Sequence, residues 1–591
     1  MIKLTINNVA VEVPEGATVL DAARKAGMKI PTLCNLEGHP PQGACRVCVV
    51  EIEGARTLGA SCSLPATNGM KVLTNSPRVR QARRSIVELL LSEHDGDCQT
   101  CNRNQDCELR AIAADLGIQE VEYPGDRTHR SIDTSTAAIV RDTGKCIKCR
   151  RCVTTCGEVQ GVAALWPQSR GFESTVAPAF NHQLADVTCV QCGQCATVCP
   201  VGAITERDHI KDVWAALDDP NKTVVVQTAP AIRAALGECF GLKPGTLVTG
   251  RMAAALRRIG FNAVFDTNFT ADLTILEEGT ELLTRLKKKL VDGDDSIAVP
   301  MFTSCSPGWI NYVESMFPDL LPNISSCKSP MSMLGALLKT YWAEKQGLDP
   351  ANIVNVAIMP CTAKKFEAKR AELSASGFPD IDYVLTTREL GRMISEAGID
   401  FVNLPDETMD SPMALGSGAA DIFANTGGVM EAALRTVYEI VTGRPFPIEN
   451  LHVEPIAGLE GVKEASLTLE KVVPDWKFLE GVTVKVAVSH GLVNAKKVCQ
   501  KVRDGQSPWH FIEVMCCPGG CIGGGGQPRF TTDEVRKERI KAIYAEDEGK
   551  QLRKSHDNPD VAKLYAEFLG QPLGEISHHL LHTKYAAKPR V

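Results

Sequence analysis

The chain has no apolar run of the ~18 to 20 residues that a bilayer-spanning helix needs, so nothing in it reads as a membrane segment. Its start, MIKLTINNVAVEVPEG, alternates like a strand and then turns. It lacks the basic stretch followed by an apolar one that marks a secretory signal. The paired arginines Arg83–Arg84, Arg150–Arg151 and Arg257–Arg258 are internal, which argues against twin-arginine export. A cytoplasmic location is expected. Strong charge of one sign is also missing. A net charge of −7 over 591 residues gives no reason to invoke nucleic acid or an anionic membrane. A nucleotide loop is absent too: the glycine-rich CIGGGGQP lacks the lysine and hydroxyl of a P-loop and the later acidic residue of a dinucleotide site.

What the chain has in excess is cysteine, 23 in all. In a long chain without a secretory signal that number favours metal over disulfides. Fifteen of them precede residue 200, in tight groups, which separates a metal-rich first third from a larger body. At this length a single core is excluded, and roughly three to five domains are expected.

The first group is Cys34, Cys45, Cys48 and Cys62, in a Gly- and Pro-rich loop flanked by the strand-like KLTINNVAVEV and ACRVCVVEIEG. Such a loop can wrap a cluster and aim N–H groups at its sulfurs; a small β-grasp domain is expected, with a zinc ribbon as the alternative. The second is His94, Cys98, Cys101 and Cys107, the histidine at the end of the helical-looking PRVRQARRSIVELLLSEH. Three thiolates and an imidazole hold either zinc or a [4Fe–4S] cluster. The third and fourth, CIKCRRCVTTC and CVQCGQCATVC, are each C-x2-C-x2-C-x3-C, the two-cluster ferredoxin run. In that pattern the fourth thiol serves the other cluster. Cys146, Cys149, Cys152 and Cys199 are thus expected on one cubane, and Cys189, Cys192, Cys195 and Cys156 on the second. Clusters in series make an electron wire.

From about residue 220, short β-branched runs (TVVVQTAP, SIAVPMFTSCSP, IVNVAIMPC, VTVKVAVSHG, HFIEVMCCPGG) alternate with helical segments such as GRMAAALRRIG, PMSMLGALLKTYWAEKQG and GGVMEAALRTVYEIVTG. This is α/β patterning with buried parallel strands, whose ligands gather at strand C-terminal ends. Cys305, Cys361, and the trio Cys516, Cys517 and Cys521 all fall there.

The segments TSCSPGW, MPCTAKKFE and CCPGGCIGGGGQP resemble the three signature segments of [FeFe]-hydrogenases. The likeness runs on through TAPAIRAALGE, DTNFTADLTILEEGTELL, TTRELGRMI and ANTGGVMEAALR, and the tail from LRKSHDNPD resembles the fused small-subunit region. The first two cysteine groups are similar to those of the same family and of a respiratory complex I subunit. The resemblance covers essentially the whole chain and points to the catalytic subunit of multimeric NAD(P)-linked or electron-bifurcating hydrogenases. A complex I-type electron-transfer subunit fits the first third equally well, but not the three later cysteine segments or the tail.

The resemblance implies a multidomain α/β architecture: a [2Fe–2S] domain over 1–78, a His-plus-three-Cys [4Fe–4S] segment over 79–118, a two-cluster ferredoxin domain over 139–210, a two-lobed catalytic domain over 220–530 and a small-subunit-like region over 531–591. It implies an oxidoreductase cycling H2 against protons and electrons. The cofactor would be an H-cluster, a [4Fe–4S] cubane bridged to a diiron centre with CO, CN⁻ and a dithiolate. By the resemblance Cys361, Cys517 and Cys521 hold the cubane, Cys521 bridging, with Ser306 at the fourth ligand position. Cys305 carries protons; Glu278, Ser325, Glu281 and Arg285 continue the path, and Lys364 binds a cyanide ligand. Flavin and NAD(P) are expected on partner subunits, with ferredoxin a further partner.

Ser306 departs from the family's cysteine. Three outcomes follow: ligation by oxygen, replacement by Cys305 or Cys516 (the latter where alanine is usual), or an altered or missing cofactor. Met331 and Ser332 stand where glutamines are usual, and Cys327 where alanine is. The competing reading is an H2 sensor or electron relay with an altered or inactive centre.

Overall fold

The computed structural model describes residues 1–123, 127, 130–447, 454–455 and 461–589. Among them no helix is long and apolar enough to cross a membrane. The chain divides into two compact units, Met1–Glu158 with Ala163–Val187 and Val198–Thr205, and Val159–Val162 with Thr188–Thr197 and Glu206–Val591.

The first unit opens with a five-stranded mixed sheet in the order Val9–Val13, Ile2–Ile6, Lys71–Leu73, Val49–Ile52, Gly59–Ala60. The run KLTINNVAVEV is a hairpin. Asn7 and Asn8 adopt φ of 47° and 67°, left-handed values that asparagine tolerates, and Ile2 pairs with Val13 across the antiparallel arms. A reciprocal cap between Thr18 and Asp21 starts the helix Val19–Lys25. Its Val19 and Leu20 bury against Leu4, Ile6, Val50 and Val72 of the sheet. The helix Pro77–Glu93 starts on Ser76, with proline in its first turn, and ends on His94. The fully buried Arg103 donates to Asp106 and to the Cys199 and Val201 carbonyls, tying the His94–Cys107 segment to the second ferredoxin run.

The second unit holds two sheets. One is all parallel, in the order Ala263–Asp266, Thr223–Thr228, Ile353–Met359, Tyr383–Thr386. Val226 lies between Val264 and Val356, and Ile353–Met359 is buried along its whole length. Full burial explains the unbroken apolar runs, each valine or isoleucine contributing about 1.5–3 kcal/mol of transfer energy. In the other sheet Met301–Phe302, Phe511–Met515 and Thr483–His490 run parallel, and Val462–Thr468 and Glu454–Pro455 continue antiparallel. Only Met301–Phe302 of the longer run SIAVPMF forms strand. The 23-residue helix Asn268–Leu290 ends in Lys287, Lys288 and Lys289, which complement its C-terminal dipole.

Candidate active site

Five parallel strands, drawn from both sheets of the second unit, end at one cavity of about 90 Å³. Thr223–Thr228 delivers Ala229 and Pro230, Ala263–Asp266 delivers Thr267, and Ile353–Met359 delivers Pro360 and Cys361. From the other sheet, Met301–Phe302 leads to Cys305 and Ser306, and Phe511–Met515 leads to Cys516 and Cys517. Cys521, Lys364 and Met331 complete the polar and sulfur lining; Pro307, Pro330, Met359, Phe423 and Met515 make the rest apolar. The residues from three distant segments singled out by the sequence thus share one pocket.

Glycine lets the last loop close over it. Gly520 sits at φ 90°, where an added Cβ would lie 2.6 Å from the Thr426 nitrogen, and a Cβ on Gly524 would lie 2.2 Å from the Pro360 carbonyl. The loop therefore reaches the strand end that carries Cys361.

Burial pushes the Cys361 and Cys305 thiols well up, aided by the nearby Cys517 charge for the first and the Glu278 charge for the second. Burial likewise raises Cys521, to about 12. Cys517 goes the other way, held down by a hydrogen bond from the Cys516 thiol and a further one from Gln194. The Cys516 thiol is raised, because it is paired with both Cys192 and Cys517. A cluster of crowded, dry thiols is unfavourable as free thiolates and favourable around a cation-rich iron–sulfur group. Five thiols, the Ser306 hydroxyl and apolar walls fit such a cofactor. The Ser306 Oγ accepts the Cys516 backbone N–H at 3.2 Å, so Ser306 and Cys516 are direct neighbours.

Lys364 is buried at the rim. Its Nζ donates to the Cys305 carbonyl at 3.3 Å and pairs with Glu367 at 2.8 Å. Glu278, Glu281 and Arg285 lie on one face of Asn268–Leu290, at i, i+3 and i+7. Burial, reinforced by the Glu281 charge, raises the Glu278 carboxyl to about 8; the Ser325 hydroxyl opposes the rise. The same Ser325 hydroxyl donates to Glu281 Oε2 at 2.8 Å, and Arg285 pairs with Glu281 at 2.7 Å. The four residues read from the resemblance thus form a contiguous polar line, and Glu278 is close enough to Cys305 for its charge to raise the thiol.

In the first unit, Cys34 contacts both Cys45 and Cys62, and Cys62 contacts Cys48 at 3.4 Å, which gathers the four thiols. Hydrogen bonds from Cys45 and Cys62 hold Cys34 far below the usual thiol range. Cys146, Cys149, Cys152 and Cys199 line one cavity, the cross-run set expected of a cubane. His94 is buried, its ring Nδ1 without a hydrogen-bond partner among the described residues, as a metal ligand's nitrogen would be. Burial raises the Cys107 thiol, and the nearby Cys101 charge adds to the rise. Of the last set, Cys156 belongs to the first unit and Cys189, Cys192 and Cys195 to the second.

Within the second unit the loop bearing those three thiols packs on the pocket. Gln194 donates to the Gly523 carbonyl at 2.9 Å, Thr362 donates to the Gln191 carbonyl at 2.8 Å, and Asn311 donates to the Cys189 carbonyl at 3.2 Å. Gln194 and the Cys192–Cys516 contact are functional features that sequence reasoning missed. They join residues more than 300 positions apart, and the only signal was the unexplained extra thiol at 516.

Comparison with known proteins finds relatives over the whole length of the chain. The family model described as iron only hydrogenase large subunit, C-terminal domain, matches residues 222–525, and that of the iron hydrogenase small subunit matches 533–588. A 2Fe-2S iron-sulfur cluster binding domain matches 1–77, an NADH-ubiquinone oxidoreductase-G iron-sulfur binding region 83–122, and a 4Fe-4S dicluster domain 145–203. The chain is 50% identical to the NADP-reducing hydrogenase subunit HndD of Solidesulfovibrio fructosivorans, over 100% of both chains. It is 37% identical to iron hydrogenase 1 of Clostridium pasteurianum, over 98% of this chain and 99% of that one. A solved variant of the [FeFe]-hydrogenase HydA1 from Chlamydomonas reinhardtii superposes with a TM-score of 0.59 at 44% identity, covering 64% of this chain and 99% of that one.

Proposed function

The chain belongs to the iron-only hydrogenase family, and on that premise we propose that it is the catalytic subunit of a pyridine-nucleotide-linked hydrogenase complex. It is an iron–sulfur oxidoreductase acting on H2, oxidising hydrogen or reducing protons with electrons relayed through its iron–sulfur domains. The observation that carries the finer reading is the convergence of Cys305, Ser306, Cys361, Lys364, Cys517 and Cys521 on one largely apolar cavity.

In this reading Cys361, Cys517 and Cys521 hold the cubane of an H-cluster, Ser306 takes the fourth position, and Cys516 stands beside it. When bound, that cofactor supplies the reversible two-electron chemistry of H2. The chain's own part is positioning and proton traffic. Apolar walls exclude water, Lys364 offers a buried cation, and Cys305 holds a proton at Sγ. Glu278, poised near neutrality, exchanges that proton, and Ser325 passes it to Glu281 and Arg285 toward the surface.

One [2Fe–2S] and three accessory [4Fe–4S] clusters would form the wire, over the extents 1–78, 79–118 and 139–210, with 220–530 catalytic and 531–591 the small-subunit-like region. The Cys192–Cys516 contact supports electron entry beside the pocket. The name of the 50% identical relative, NADP-reducing, favours NADP on a partner that also holds flavin. Ferredoxin as a second partner, with electron bifurcation between the two, extends the same reading, as does a cytoplasmic location.

The test is infrared spectroscopy of the matured protein in the CO/CN⁻ stretching region, paired with an H2 assay and an iron count. Expected are the bands, turnover, and about 20 irons; the accessory clusters alone would give about 14. Absent bands after successful maturation would sink the proposal. Ser306 favours a second reading, an H2 sensor, which the same experiment separates: bands with negligible turnover.

A further inference from the structure

Glu281, a member of the proton path, is also one corner of a separate donor group. The Cys327 Sγ lies 3.9 Å from Glu281 Oε2 and 3.9 Å from His582 Nδ1. All three ligand atoms fall within 4.8 Å of one another, and all three residues are buried. Zinc bonded to one sulfur, one nitrogen and one oxygen in a tetrahedron sets those atoms roughly 3.3–3.6 Å apart. The thiol therefore needs to close on its neighbours by roughly half an ångström. A backbone bridge between Cys327 and His582 already holds the two segments in register.

A second observation concerns the histidine's other nitrogen. His582 Nε2 lies 3.1 Å from Glu277 Oε2. Glu277 also accepts from the Tyr565 hydroxyl at 2.5 Å, the Leu573 N–H at 2.9 Å and the Ser577 hydroxyl. A carboxylate so placed only accepts, so the network assigns the imidazole proton to Nε2. Nδ1 then presents its lone pair toward Cys327 and Glu281, and the Ser326 hydroxyl satisfies it at 2.9 Å. Carboxylate to imidazole N–H, with the opposite nitrogen left as an acceptor, is the outer-shell arrangement that orients metal-binding histidines; here a cation would displace the Ser326 hydroxyl.

We propose that Glu281, Cys327 and His582 form a binding site for a soft divalent cation, Zn²⁺ by the chemistry of its donors, and that its occupation closes the proton path. The second clause rests on the reading of Glu281 as a relay. On binding, the Cys327 S–H bond breaks and the proton leaves to solvent. The thiolate, the Glu281 carboxylate and the His582 lone pair then bond the cation. One thiolate and one carboxylate balance its two charges, so the buried site stays neutral. The cation takes a lone pair of Oε2, the oxygen that accepts Ser325, and a cation-bound carboxylate no longer takes up a proton, so the polar line breaks at its middle.

The test adds one equivalent of zinc chloride to matured holoenzyme. Zinc-edge X-ray absorption, metal content and H2 evolution are then measured. Expected are one zinc per chain with a single sulfur near 2.3 Å among N/O neighbours, and unchanged iron. Turnover should fall at least tenfold and recover with a chelator. Cys327→Ala and Cys327→Ser, each checked for an intact iron–sulfur spectrum, should lose the sulfur neighbour and bind zinc at least tenfold more weakly, inhibition being read against each variant's own zinc-free rate. A shell of N/O alone, or one unchanged in both variants, overturns the site. So does a shell of several sulfurs with loss of iron, which puts zinc in the cluster sites. Zinc bound as expected without loss of turnover keeps the site and overturns the proton path through Glu281.

Discussion

The backbone N–H of Cys516 donates to the Ser306 hydroxyl at 3.2 Å, so two of the residues at which this pocket departs from the pattern it resembles touch each other. The contact sets a hydroxyl, held by an amide, at the one corner of the cavity where a thiol would be usual. Beyond it, Cys516 pairs with Cys192 and Cys517, linking that corner to the ferredoxin-type loop.

Ser306→Cys should alter the pocket's electronic structure without dismantling it, since thiolate is the softer donor. The expected outcome is a changed cubane signal in electron paramagnetic resonance, with accessory signals unchanged. Ser306→Ala should cut matured activity at least tenfold and lower cubane iron. If both variants match the parent, Ser306 is not a ligand.

Glu278→Gln should lower turnover by about 10²–10⁴-fold while the infrared bands and iron content persist, because only proton transfer is lost. The Glu278 carboxyl, at about 8, is mostly protonated below that pH and ionised above it. Proton delivery for H2 evolution should therefore hold up to about pH 8 and fall above it. H2 oxidation, which needs the carboxylate as acceptor, should rise through the same pH. Glu278→Gln should erase this inflection from both pH–rate profiles.

Cys199→Ser should remove or convert one accessory [4Fe–4S] cluster, because Cys199 shares a cavity with Cys146, Cys149 and Cys152. The expected result is a loss of about four irons and one resonance signal, with the infrared bands retained. Loss of the bands as well would place Cys199 in the maturation of the pocket instead.

Gly524→Ala should destabilise the loop over the pocket, since its Cβ would stand 2.2 Å from the Pro360 carbonyl and neither backbone can yield. Overpacking of this kind costs about 1–3 kcal/mol. A lower thermal midpoint and weaker infrared bands are expected, with accessory iron intact.

Most of the architecture was legible in the chain because its signals are local. Buried parallel strands read as apolar runs, and Thr223–Thr228, Ile353–Met359 and Phe511–Met515 appear where those runs lie. Asn7–Asn8 shows the limit: an alternating stretch says strand, and the positive φ at two asparagines decides that it folds back on itself. The run SIAVPMF reads as a strand yet pairs over only two residues.

The sequence by itself determined where the thiols cluster and in what order those clusters follow along the chain, because thiol spacing within a loop is set by the geometry of the group it wraps. Glu278, Glu281 and Arg285 were likewise bound to share a face by helical periodicity. Only the tertiary structure decided which distant groups meet. Cys192 against Cys516, Ser306 against Cys516, and Cys327 against both Glu281 and His582 join positions 46 to 324 residues apart in the chain. No spacing rule encodes such pairs. They follow from two sheets that end at one cavity and from a C-terminal tail whose hydrogen bonds to Glu277 bring an imidazole to the helix that carries Glu278 and Glu281.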